Sequence, residues 1–93
     1  MPKYYPFKIY GYYLYYTSFC TIEAMHVHAS DRSLSEVGSA KFFVLENGDT
    51  TVERRGVLND RELRKIREFI KDHYLDMYEL WKTDSDNGFY RGK

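Results

Sequence analysis

The sequence predicts an α+β fold: a small antiparallel sheet of about four to five strands in the N-terminal part, packed against one long or broken C-terminal helix. Three observations predict it. Short runs rich in Tyr, Phe, Ile, Val and Thr, side chains that suit a pleated surface, fill the chain up to residue 53. From Asn59 onward the apolar residues recur instead at spacings of three and four, the period of a helix. The 93 residues suffice for one small core.

Pro6 to Tyr10 and Tyr12 to Thr17 are the first two expected strands, with Gly11 between them as a turn or a bulge. Glu23 to Ala29 is the third. Asp31 to Ser39 is polar and reads as a loop. Ala40 to Leu45 is the most hydrophobic strand. Asn47-Gly48 follows it, the dipeptide preferred in tight hairpins, and Thr50 to Glu53 returns. Asn59 with Glu62 three residues later resembles a capping box. Leu63, Ile66, Ile70, Tyr74, Met77 and Trp81 then form one apolar stripe from Asp60 to Lys82. A helix of that length is about 35 Å long, so it either spans the sheet or breaks near Asp72-His73. The domain is expected to occupy residues 1–83, with 84–93 a polar tail that extends beyond the core.

Ten Tyr, six Phe and one Trp supply core volume with few side chains. Fourteen Lys and Arg balance fourteen Asp and Glu, which argues against strong non-specific attraction to nucleic acid or to an anionic membrane. A lone cysteine, Cys20, cannot form an internal disulfide and suits a reducing compartment. The first residues lack the apolar stretch of a signal peptide, and no run is long enough to span a bilayer. A cytoplasmic protein with no membrane partner is expected.

The main functional candidate is the strand Met25-His26-Val27-His28. Alternation puts both imidazoles on one face and Met25, Val27 and Ala29 on the other, so the strand reads as half-buried. Two such histidines suit general acid–base chemistry, metal binding, or structural hydrogen bonding, and structure is the commonest role. Glu23, Asp31, His73 and Cys20 are metal donors by type, yet no spacing joins them, and the sequence implies no metal or cofactor. Between Arg54 and Lys71 the chain is locally basic, and after Lys71 the helix turns acidic, the reverse of what the helix dipole favours. Arg54, Arg64, Arg67 and Lys71 are the binding candidates, for phosphate or for a charged partner. Surface pairs such as Arg64 with Glu68 are the plainer explanation. Tyrosines among basic residues also suit stacking on single-stranded RNA.

His26-Val27-His28, Gly38-Ser39-Ala40-Lys41-Phe42-Phe43, Arg55-Gly56-Val57, Glu62-Leu63-Arg64-Lys65-Ile66 and Leu80-Trp81 together resemble the small bacterial proteins of the domain-of-unknown-function 4160 family. The order and spacing of the pieces carry the resemblance from about Tyr12 to Trp81. Met25, Ala29 and Phe43 stand where the family has Pro, Val and Trp. The resemblance implies a compact α+β fold, strands first and helix last, in a bacterial cytosol. It also implies a gene beside another small protein, in a pair of toxin–antitoxin type. It assigns no activity. His26, His28, Lys41, Arg55 and Gly56 match its motif, without roles.

Two functions from different classes follow. One is a binding component of a two-protein module, acting with a small partner protein or as a homo-oligomer. The other is a ribonuclease-type enzyme with His26 or His28 as acid or base and Lys41 and Arg55 holding phosphate, RNA then being the ligand. The enzyme reading requires these groups to converge at an open cleft. A metal-binding module through the two histidines is the third reading.

Overall fold

The computed structural model describes residues 3–16, 24–31 and 39–91. Four antiparallel strands in consecutive order form one sheet: β1 (Tyr13–Tyr15), β2 (His26–Ser30), β3 (Ala40–Val44) and β4 (Thr50–Arg54). A single helix, α1 (Asp60–Asp84), follows. This is the α+β arrangement that the change of period predicts. Cys20, Glu23 and most of the expected 31–39 loop lie outside the described residues.

Pro6 to Tyr10 is not a strand. Ile9 and Tyr12 exchange backbone hydrogen bonds of 2.7 and 3.0 Å around Tyr10-Gly11, with φ of 53° and 90° at those two residues. Two central residues in the left-handed region make the twist of a two-residue hairpin turn. Tyr10 is an unusual occupant of such a position, so composition left Gly11 ambiguous. The outer edge of β1 is met by the N-terminal arm instead, where the Tyr4 amide donates to the Leu14 carbonyl at 2.8 Å.

Asn47-Gly48 does turn the chain, through a three-residue loop rather than a two-residue one. The Leu45 amide donates to the Asp49 carbonyl at 2.8 Å, and Gly48, at φ 91°, donates to the Leu45 carbonyl at 2.9 Å. The helix opens on a complete capping box. Asn59 Oδ1 accepts from the Glu62 amide at 2.8 Å and Glu62 Oε1 accepts from the Asn59 amide at 3.1 Å. It runs unbroken through Asp72-His73, since no Gly or Pro interrupts its hydrogen bonds.

Leu14, Val27, Ala29, Phe42 and Val44 project from one face of the sheet and meet Ile66, Ile70, Met77 and Trp81 of α1. This is the core. Among the described residues, no helix is long and apolar enough to cross a membrane.

The segment after α1, expected to leave the core, turns back along it. The Gly88 carbonyl accepts from the Met25 amide at 2.9 Å, and the Tyr90 amide donates to the Val44 carbonyl at 2.8 Å. Phe89 stacks on Tyr78 at 4.1 Å and Tyr90 on Phe43 at 4.3 Å. Two aromatic rings within a polar stretch supply the apolar contact that overall polarity hid.

Candidate functional site

Alternation holds: His26 and His28 share the face of the sheet that points away from the core. The half-buried strand does not follow, because all five residues of β2 are buried and both imidazoles are at 0% exposure. Tyr15 stacks on His28 at 5.6 Å, the two imidazoles meet edge-on at 5.1 Å, and Phe43 flanks His26 at 5.5 Å. At the end of β2, Trp81 reaches His26 at 5.6 Å.

The register of β2 on β3 sets His28 opposite Lys41. A bulge at Lys41/Phe42 then pairs Lys41 with Arg54, while Phe42 pairs with Val52. The extra residue, Glu53, swings Arg54 onto the imidazole face. Arg54 Nε donates to the Ser39 carbonyl at 2.8 Å, and Ser39 Oγ lies 3.0 Å from His28 Nδ1. His26 Nδ1 donates to the Ala24 carbonyl at 2.8 Å, which fixes its proton on that nitrogen. Burial, and after it the charges of His26, Lys41 and Arg54, push the His28 imidazole down to about 4. His28 is therefore neutral at pH 7.

Of the four residues expected to act together, the structure joins His26, His28 and Lys41. It does not join Arg55, which is exposed and paired with Asp60, holding that carboxyl below its usual range. Arg54 takes the place expected of Arg55, and the bulge, invisible to the strand pattern, decides between them. For Ser39 the sequence carries no signal beyond its position in the Gly38-Ser39-Ala40-Lys41 run. Among the described residues no cluster of three His, Cys, Asp or Glu side chains forms that could hold a metal ion.

The binding candidates separate likewise. Arg64, Arg67 and Lys71 line an open groove of about 740 Å³ between the β3–β4 turn and α1. Arg67 donates through Nε to Thr50 Oγ1 at 2.8 Å and through Nη2 to the Thr50 carbonyl at 3.0 Å. Lys71 Nζ meets Asp49 Oδ1 at 2.8 Å and holds that carboxyl low. Arg64 is exposed and makes no ion pair or side-chain hydrogen bond among the described residues, so the expected Arg64–Glu68 pair does not form.

Positions that carry the family resemblance each hold a different part of the fold. Gly56 lies so close to β3 that a Cβ there would stand 2.5 Å from the Ala40 amide nitrogen, and its φ is 57°. Glu62 closes the capping box and accepts from the Tyr12 hydroxyl at 2.8 Å. Trp81 Nε1 donates to the Asn87 carbonyl at 2.8 Å, tying the returning tail to the helix. Each has a packing or capping task.

The profile of the family described as "Domain of unknown function (DUF4160)" matches residues 10–82. No curated protein and no solved structure matches the chain.

Proposed function

We propose the following role for this chain, which belongs to the DUF4160 family of domains of unknown function: it is the protein-binding component of a two-protein bacterial module of toxin–antitoxin type, acting in the cytoplasm. One observation carries the reading. The imidazoles are sealed at 0% exposure, whereas Arg64 stands exposed in the groove beside Arg67 and Lys71 and makes no ion pair or side-chain hydrogen bond among the described residues, although Asp60, Glu68 and Asp72 line the same groove. A guanidinium left in water with a shaped surface around it suits recognition of a carboxylate on a partner. Co-expression with the product of the adjacent gene tests it. The two proteins are expected to co-purify and to form a complex at micromolar concentration, weakened by Arg64→Glu. Absence of a complex at that concentration sinks the reading.

The ribonuclease reading has one observation in its favour: Lys41 and Arg54 flank His28 across the sheet. It needs phosphate to reach a ring with no exposed surface. RNA cleavage that His26→Ala and His28→Ala together abolish, in a variant still folded, would restore it.

A further inference from the structure

The outward face of α1, which borders the groove through Glu68 and Asp72, carries a second pattern. Arg61, Lys65, Glu68, Asp72 and Asp76 follow one another at helical spacing along it. Arg61, Asp72 and Asp76 are exposed, Lys65 is half-buried, and none of these four side chains makes an ion pair or hydrogen bond among the described residues. Beside the middle of this row lies an aromatic patch. Phe69 and His73 of α1 pack at 4.3 Å, Tyr5 of the N-terminal arm meets Phe69 edge-on at 5.4 Å, and Phe7 leans on Tyr5 at 5.8 Å with 58% of its surface exposed. The buried Tyr5 hydroxyl has no hydrogen-bond partner among the described residues.

Two cations, then Glu68 beside the aromatic patch, then two carboxylates form a sequence of charges that, Glu68 apart, is complementary to its own reverse. A uniformly acidic partner would be repelled by one half and a basic partner by the other. The order also runs against the helix dipole, so it does not serve α1 itself. We propose that a second copy of this chain docks here. The two α1 helices lie antiparallel about a two-fold axis beside Phe69, with Arg61 of each copy facing Asp76 of the other and Lys65 facing Asp72. The interface is isologous: the aromatic patches meet at the axis, and the charge pairs form its rim and fix its register. Glu68 meets its own counterpart near the axis and is the repulsive contact of this arrangement. Glu68 and Asp72 also line the groove, whereas Arg61, Asp76 and Phe7 do not, so variants at those three residues test this interface separately from the binding role proposed above.

Sedimentation equilibrium on the full chain, from micromolar to millimolar concentration, tests the proposal. The wild type is expected to dimerise. Arg61→Glu and Asp76→Arg are each expected to weaken association about tenfold or more, since each breaks both symmetry-related pairs. An equimolar mixture of the two variants is expected to recover association, because in the mixed dimer one outer rim pair re-forms with reversed sign and the other is the native Arg61–Asp76 pair. A variant that merely folded badly would not be rescued in this way. Glu68→Gln is expected to tighten the dimer, and Phe7→Asp, on the N-terminal arm, to abolish it. A wild type that stays monomeric throughout, a dimer indifferent to both reversals, or a mixture that does not recover overturns the proposal. Each of these results leaves complex formation with a different protein through Arg64 untouched.

Discussion

The outer face of the sheet and the outward face of α1 carry polar residues in comparable number, and they treat them in opposite ways. On the sheet, His26, His28, Ser39 and Lys41 are at 9% exposure or less and are packed among aromatic rings. On the helix, Arg61, Arg64, Asp72, Asp76 and Glu79 stand in water. The first set resembles a catalytic constellation when read as letters, yet its imidazoles have no exposed surface. The second resembles an ordinary solvated face, yet several of its charges make no ion pair or hydrogen bond among the described residues. Residue type suggests chemistry, and accessibility decides whether that chemistry has a substrate.

Gly56 offers the hardest way to break the sheet side. Its φ of 57° and the 2.5 Å approach to the Ala40 amide leave no room for a side chain. Gly56→Val strains the backbone and pushes β3 away from the β4 exit, where Arg54 holds Ser39. A loss of more than about 2 kcal/mol of stability is expected, read as a fall in the denaturant midpoint. A midpoint within error of wild type would show that the two strands' ends are not packed as described.

His28→Ala comes next, with an expected cost of about 2–3 kcal/mol from the cavity and from the polar groups left around it. Its pH dependence sharpens the comparison further. Unfolded His28 takes up a proton below about pH 6.5, and the folded ring does so only below about 4. Between those values the unfolded state holds more protons, so wild-type stability falls as pH falls, by on the order of 1 kcal/mol per pH unit at the steepest. The loss is complete below the folded value. In His28→Ala this share of the slope disappears, while the slope from the carboxylates remains. Equal slopes in the two proteins between pH 6.5 and 4 would place His28 in contact with water.

The sequence made the sheet-then-helix order legible because period and capping are local signals, and Asn59 with Glu62 marked the helix start to the residue. It made the shared face of the histidines legible for the same reason. Their burial was not legible, because it depends on Tyr15 from β1, Phe43 from β3 and Trp81 from α1 arriving around one strand. The exchange of Arg55 for Arg54 was hidden in a one-residue bulge. The return of the tail was hidden by polar neighbours of Phe89 and Tyr90.

Arg64→Ala is the mildest perturbation and separates the two regions most sharply. The side chain is exposed and holds no hydrogen bond or ion pair among the described residues, so little of the fold depends on it. Alanine is also the better helix former. Stability is therefore expected to change by no more than about half a kcal/mol, in either direction, in chemical or thermal unfolding. Binding of an acidic partner should still weaken, and weaken more at low salt than at high salt, because the lost attraction is one that salt screens. His28→Ala is expected to do the reverse, lowering stability while the folded fraction keeps wild-type affinity. If Arg64→Ala instead destabilised the chain as much as His28→Ala, the guanidinium would belong to the frame, and the outward face of α1 would lose its claim to be the working surface.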